Sequence, residues 1–396
     1  IENNIGTIYG ADYIGAGVGA IIWVGWMLSI DPALSGALTA MVNLAVGLLF
    51  ICKFYQRVRH REVLLALHGL FFVIAFTVAG QGPSWQATAE NMMYSDRVIY
   101  QHDTRFQRLV VTRRERGRDG LPVLTFHLNG RVQFANDDEK IYHSMLVNPA
   151  MMASARQDNV LIIGGGDGLA LRDVLTWNPK FVMLLDLDEE LVEFFTHPND
   201  SNDNTAFIKM NNGSFSDPRV QTRFGDAWLG VDTLITEGRR FDVIIVDLPD
   251  PNHPDLNKLY STGFYNKLRN VLTGDGAMVV QSTSPYHAKR TFLSVGKTIE
   301  ASGFSQVDQY HANVPSFGEW GWTIGVPHGA SPKTRIENFK GPLPESWATP
   351  EMIEASFVFG RNFFANKQPI KINWTRSNTI YQYHLQDWNS GRDVLR

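Results

Sequence analysis

The chain is expected to be an α/β protein: a parallel sheet with helices on both faces, preceded by a small β domain and a block of apolar helices. Three observations predict this. From Asn159 the sequence alternates NVLIIG, LALRDVLTW, FVMLLDLD, VQTRFGD, FDVIIVDLPD and AMVVQS, the rhythm of parallel strands joined by helices. Between Arg97 and Phe134 the apolar runs are short and broken by turn residues, as in a small antiparallel sheet. Before residue 82, charge is confined to Lys53, Arg57, Arg59 and Arg61 in one cluster and to Glu2, Asp12, Asp31 and Glu62.

These shifts divide the 396 residues into a helical region 1–82, a linker and β domain 83–150, a Rossmann-like domain 151–330 and a C-terminal extension 331–396. The formal charge of −4 lacks the concentrated basic face of a nucleic-acid binder, so no nucleic-acid partner is expected. A lone cysteine, Cys52, excludes an internal disulfide framework and a multi-cysteine zinc site. In its apolar run it is read as a buried, inert thiol, and His68 is read as structural.

The apolar segments Ala11–Ile30, Leu34–Phe54 and Val63–Gly80 each approach the ~20 residues a spanning helix needs. Gly15, Gly17, Gly19 and Gly36 suit close helix contacts in lipid, and membrane insertion is favoured over a soluble helical domain. Asp12, at the edge of the first segment, is placed at the interface. Neither a basic leader nor a cleavage site marks the first segment as a signal peptide. Because the chain begins with Ile1, further helices upstream in a longer protein are an expectation. The stretch QGPSWQATAENMMYSD, 81–96, reads as a polar linker.

In the β domain, RLVVT leads to the charged hairpin tip RRERGRDG, and VLTFHLNGRVQF contains Asn-Gly, a strong turn signal. DDEKIYHSMLVNPAMM predicts a helix from near Asp137 to about Pro149.

Ligands of such sheets gather at the carboxyl ends of the strands, so the polar residues closing each strand carry the chemistry. VLIIGGGDG, Val160 to Gly168, is a buried strand running into a tight turn where bare backbone meets a ligand. A dinucleotide fingerprint needs a third glycine three places after Gly166, and Leu169 stands there. Asp186 lies 22 residues after Gly164 (186 − 164), the distance at which an acid meets ribose hydroxyls. Gly225-Asp226 closes the next strand, placed for an adenine edge. Asp247-Leu-Pro-Asp250-Pro251 closes the fourth and is suited to ordering a cationic amine and taking its proton. A helix cap or turn, or a Mg²⁺ site of Asp247, Asp250 and His253, would be simpler uses of the same residues, but no phosphate-binding loop accompanies a metal there. Converging in one crevice, Asp167, Asp186, Asp226, Asp247 and Asp250 would be costly without a bound cation. A sulfonium compound and a polyamine both satisfy that demand.

At this point the chain resembles the spermidine synthases, the polyamine aminopropyltransferase family, and within it the bacterial membrane-bound branch. FQRLVV, LNGRVQF, DEKIYH, VLIIGGGDG, DLDEELV, DVIIVDLPDP, LYSTGFY, VVQSTSP and VPSFGEWGW carry the resemblance over about residues 97–330, and GADYIGAGVGA resembles that branch's membrane part. The resemblance implies a methyltransferase-like Rossmann fold that binds decarboxylated S-adenosylmethionine as co-substrate and uses no metal. It implies that Gln107, Tyr142, His143 and Asp167 meet the aminopropyl end, with Gly164 and Gly166 in the turn. Asp186 would hold the ribose and Asp226 the adenine. Asp247 would be the catalytic acid, with Asp250, Gln133 and Gln281 ordering the amine. An acid at Asp167 would pair with the cofactor's ammonium and repel the carboxylate of ordinary S-adenosylmethionine.

Three departures bear on the acceptor. Ser144 stands where the family usually has Glu, Phe317 where many soluble members have Tyr, and Asp186 replaces Glu. Putrescine is the expected acceptor, giving spermidine and methylthioadenosine; cadaverine, a longer polyamine or a lipid-linked amine are alternatives. Trp320 and Trp322 could line an amine pocket by cation–π contact or simply pack. An amine N-methyltransferase and a non-catalytic membrane module binding polyamines are the competing functions. The resemblance further implies a homo-oligomer, at least a dimer, through the β domain. The basic cluster should face the cytoplasm, and one span after it would put the catalytic domain outside, whereas its cofactor is cytoplasmic. The expectation is a multi-pass protein of the inner (cell) membrane with a cytoplasmic catalytic domain.

Overall fold

Alternate residues of a strand face opposite sides of its sheet, so an unbroken apolar run needs cover on both sides. β5 (Asn159–Gly164) shows this. Its Val160 and Ile162 join one core with Leu146, Ala150, Leu184 and Ile245, while Leu161 and Ile163 join another with Met183, Leu234, Val246 and Phe264. Each such side chain contributes about 1.5–3 kcal/mol on burial. The computed structural model describes residues 5–116, 120–198, 204–365 and 369–390, in two compact units that divide after Arg97.

The first unit holds α1 (Ile5–Gly25), α2 (Pro32–Lys53) and α3 (Arg61–Asn91), three helices long and apolar enough to cross a membrane. Asp31 caps α2, its Oδ1 accepting from the amides of Ala33 at 2.8 Å and Leu34 at 3.1 Å, with Pro32 in the first turn. α2 and α3 pack together where Gly47 meets His68; a Cβ on Gly47 would lie 2.5 Å from the His68 ring. Two expectations are corrected here. α3 continues through Pro83 to Asn91, where a linker was expected, and Cys52 is exposed because it lies on the outward face of α2, next to buried Ile51.

In the second unit, β1 (Arg97–Asp103), β2 (Arg108–Arg114), β3 (Val123–Leu128) and β4 (Arg131–Ala135) form a four-stranded sheet in that order. Positive φ at Asn129 (51°) and Gly130 (76°) gives the tight hairpin that Asn-Gly favours. The charged tip between β2 and β3 falls in part, at 117–119, outside the described residues.

α4 (Glu139–Ala153) leads into the large sheet. The remaining strands are β6 (Phe181–Asp186), β7 (Val220–Phe224), β8 (Phe241–Asp247), β9 (Leu272–Gln281), β10 (Gln306–Val314) and β11 (Gly318–Val326). Their order is β10-β11-β9-β8-β5-β6-β7, with only β11 antiparallel to its neighbours. The order reverses between β5 and β8, where ligand crevices open. Connecting and covering segments are α5 (Leu169–Thr176), α6 (Glu189–Phe194), α7 (Thr205–Met210), α8 (Ala227–Thr236), α9 (Thr262–Val271) and α10 (Lys289–Ala301). The C-terminal stretch adds α11 (Pro332–Glu337), α12 (Pro350–Ala355) and α13 (Thr379–Ser390); α13 packs on α10.

α4 also departs from expectation, since it passes through Pro149 and ends a turn later. Proline leaves the carbonyl four residues back without its helical donor. That carbonyl, on Met145, accepts from the Tyr310 hydroxyl of β10 at 2.8 Å, so a neighbouring strand supplies what the helix lacks. Tyr310→Phe should cost about 1–3 kcal/mol through the buried carbonyl left unpaired, and adding Pro149→Ala should recover part of the loss. Thermal and denaturant unfolding of both single variants and the double variant would check this; strictly additive effects would refute the pairing.

Candidate active site

The turn after β5 is built for close approach. Gly164 and Gly165 have φ of 80° and 68°, a region that L side chains rarely adopt. A Cβ on Gly164 would fall on the Asp247 carbonyl oxygen, and one on Gly166 would lie 2.8 Å from Asp186 Oδ2. Across the switch point Gly164 is in register with Asp247, while Asp186 closes β6 and Gln281 closes β9 beside them. Asp247 and Asp186 therefore close the two strands that flank β5.

Tyr142 of α4 donates to Asp247 Oδ1 at 2.6 Å. Burial, then the charge of Asp167, pushes the Asp247 carboxyl up to about 6. Burial raises Asp186 to about 6 as well, and raises Asp167 against the opposing pull of His143. Asp167 Oδ1 accepts from the Leu169 amide at 2.8 Å, and Asp186 Oδ1 from the Asp188 amide at 2.9 Å. Positive charge is supplied from behind. Buried Glu139 accepts from Arg172 at 2.8 and 3.0 Å and pairs with His143 Nδ1 at 3.1 Å. Although burial opposes both charges, the pairing lowers Glu139 to about 2 and raises His143 to about 9. His143 is thus a cation beside Asp167 and Asp247.

The loop after β8 is tied down by Gln281. Its Nε2 donates to the Leu248 carbonyl and the Tyr260 hydroxyl, each at 2.7 Å, and reaches Asp250 Oδ1 at 3.4 Å. Thr283 donates to Asp250 Oδ2 at 3.2 Å from a φ of 60°, strained for a β-branched residue. Burial raises Asp250 too. Farther out, Gln107 donates to Asp188 Oδ2 at 2.9 Å. Asp226 caps α8 through the Trp228 amide (2.8 Å) and pairs with Lys258 (2.5 Å). Gln133 lies on β4, its amide 3.3 Å from the carbonyls of Arg131 and Val132. His253 caps the 3-10 turn Pro254–Tyr260, and among the described residues no group of three or more His, Cys, Asp or Glu is placed to hold a metal. Trp322 is fully buried in the core, its ring 5.5 Å from Tyr310 and 5.5 Å from Tyr142, so it packs rather than lining a pocket; Trp320 lies edge-on to Phe317 at 4.9 Å.

Residues 139–338 match the spermine/spermidine synthase domain. A polyamine aminopropyltransferase of Shewanella oneidensis is 49% identical over 98% of this chain and 68% of its own length. The chain belongs to the spermidine synthase family of polyamine aminopropyltransferases. Polyamine aminopropyltransferase 1 of Streptomyces coelicolor is 36% identical over 84% of the chain and 61% of its own length, so the chain spans about two thirds of these relatives. A spermidine synthase solved in complex with the transition-state analogue AdoDATO is similar in fold, with a TM-score of 0.56 and 26% identity over 67% of this chain and 86% of its own. The enzyme class is aminopropyltransferase, on a Rossmann-like sheet preceded by the small β domain and the three apolar helices.

Several site residues of this family member escaped the sequence reading. Glu139 sits four residues before the expected His143 on one helix, a spacing that makes contact and could have been noticed. Arg172, Lys258, Tyr260 and Thr283 offer no such signal, because their partners are remote in sequence.

The raised Asp247 pKa has a stability consequence. A carboxyl raised from its ordinary value to about 6 binds its proton more tightly in the folded state. The free enzyme therefore loses stability as pH rises from about 4 to 6. Asp247→Asn, which keeps an acceptor for Tyr142, should stabilise the ligand-free protein by about 1–3 kcal/mol above pH 6, with no gain near pH 4. Unfolding midpoints across pH 4–8 check this, and a pH-independent difference would refute it.

Proposed function

We propose that this chain transfers the aminopropyl group of decarboxylated S-adenosylmethionine to putrescine, giving spermidine and methylthioadenosine. The observation that carries the reading is the set of carboxyls, buried Asp186 with half-buried Asp167, Asp247 and Asp250, around a glycine turn. In the reaction the amine nitrogen attacks the propyl carbon bonded to the sulfonium. The carbon–sulfur bond breaks, its electron pair goes to sulfur, and the nitrogen's proton leaves to Asp247. A carboxyl near 6 is close enough to neutrality to serve as base, and Tyr142 fixes its orientation.

Asp167 pairs with the cofactor's ammonium and disfavours the carboxylate of ordinary S-adenosylmethionine. Gly164 and Gly166 admit the cofactor to the backbone, with His143 and Tyr142 at the aminopropyl end. Asp186 takes the ribose; Gln107, expected at the aminopropyl end, keeps its hydrogen bond to Asp188, and Asp226 marks the adenine end. Asp250 orders the amine, and Gln281 acts through Asp250. Gln133 is the acceptor candidate with least support, since its amide is bonded within its own strand. Because the sulfonium charge disappears during transfer, positioning contributes more than charge stabilisation.

The three apolar helices are proposed to cross the cell membrane, since their outward faces carry Ile14, Ile21, Leu49 and Phe76, each at least 70% exposed. The catalytic domain belongs on the cytoplasmic side with its cofactor, as part of a homo-oligomer. A reporter fused near Ser95, just after α3, should report a cytoplasmic location; an external signal would overturn this orientation.

Incubation with decarboxylated S-adenosylmethionine and diamines should release methylthioadenosine in step with a product one aminopropyl unit heavier than putrescine. No product with any amine, or S-adenosylhomocysteine released from ordinary S-adenosylmethionine, would overturn the reaction. Asp247→Asn should lower kcat by about 10²–10⁴-fold while methylthioadenosine affinity changes less than about 3-fold; retained turnover would remove Asp247 from its role.

A further inference from the structure

His384 is an unexplained group next to this site. It lies on α13, 2% exposed, and neither ring nitrogen has a hydrogen-bond partner among the described residues. Buried polar atoms are seldom left unsatisfied, and those that are call for a ligand or an ordered water. Its Nε2 is 4.0 Å from Asp250 Oδ2, too far for a direct hydrogen bond. A single nitrogen donor about 2.8 Å from each atom would bridge that gap.

The imidazole is held in place from both sides. One turn along, Asp387 accepts from Arg290 Nε at 2.6 Å and from the Arg290 amide at 3.0 Å. Trp388 stacks on His287 with centroids 5.5 Å apart, and the Tyr381 amide donates to Asn257 Oδ1 at 3.3 Å. Asp250, meanwhile, has room for another donor, since its side-chain partners sit at 3.2 and 3.4 Å.

We propose that His384 and Asp250 together bind the distal, non-reacting ammonium of the diamine, so that the C-terminal helix α13 selects the length and the second charge of the acceptor. This rests on the aminopropyl-transfer reading above. Asp247 with Tyr142 takes the reacting nitrogen, and Asp250, three residues farther on, faces the other end. Burial keeps the His384 pKa below its ordinary value, while Asp250 and Asp387 act to raise it and Arg131 to lower it. At neutral pH the ring therefore offers a lone pair, and one neutral acceptor with one carboxylate matches a single ammonium in charge.

The test measures the full-length enzyme with putrescine and with n-butylamine, the same chain without the distal nitrogen. His384→Ala should raise the putrescine KM by about 10-fold or more, the size expected for a hydrogen bond to a charged group. It should leave kcat, the KM for decarboxylated S-adenosylmethionine and butylamine kcat/KM within about 2-fold. His384→Gln, which keeps an acceptor oxygen, should recover part of the putrescine KM. Equal losses with both amines would show a merely structural residue, and an unchanged putrescine KM would show a site for water alone; either overturns the proposal. A wild type that transfers to no amine would instead fail at the underlying reaction, and would be recognised before any variant is made.

Discussion

Removing several carboxyl groups from water at one edge of a sheet is the constraint around which this domain is arranged. Each loses hydration, and Asp167 and Asp247 also repel one another. Buried Arg172, Glu139 and His143 answer this with an alternating row of charge that ends in a cation beside both acids. The answer is partial, because Asp167, Asp186, Asp247 and Asp250 all stay above their ordinary range. An edge so poised favours a cationic ligand, and a sulfonium compound with an amine supplies what the protein withholds.

Holding those groups in place falls to the backbone around them. The β5–β8 register sets Gly164 against Asp247, and only glycine fits there. Gln281 and Thr283, at the end of the next strand, fix the Asp250 loop at the expense of a strained Thr283. α4 carries Tyr142, His143 and Glu139 to the site, and its path depends on β10 satisfying the carbonyl that Pro149 frees. β10, at one edge of the sheet, thus supports the site through α4.

Membership in the aminopropyltransferase family agrees with this arrangement. The C-terminal stretch adds a feature of its own, a clamped helix that turns a buried imidazole toward Asp250. In the N-terminal unit, three helices leave most of their apolar surface uncovered, and exposed Cys52 belongs to that surface.

The chain's local pattern was enough for the alternating strands and helices, the Asn-Gly hairpin, the three apolar helices, and the acids Asp167, Asp186, Asp247 and Asp250 at strand ends. Such features depend on periodicity and turn chemistry, which act over a few residues. Tertiary structure alone decided that α4 runs through Pro149, that β11 enters the sheet antiparallel and that Trp322 is core. It also brought Arg172 to Glu139, Lys258 to Asp226 and His384 to Asp250. Those pairs are separated by 33, 32 and 134 residues (384 − 250 for the last), and no local pattern encodes a contact that only the folded sheet closes.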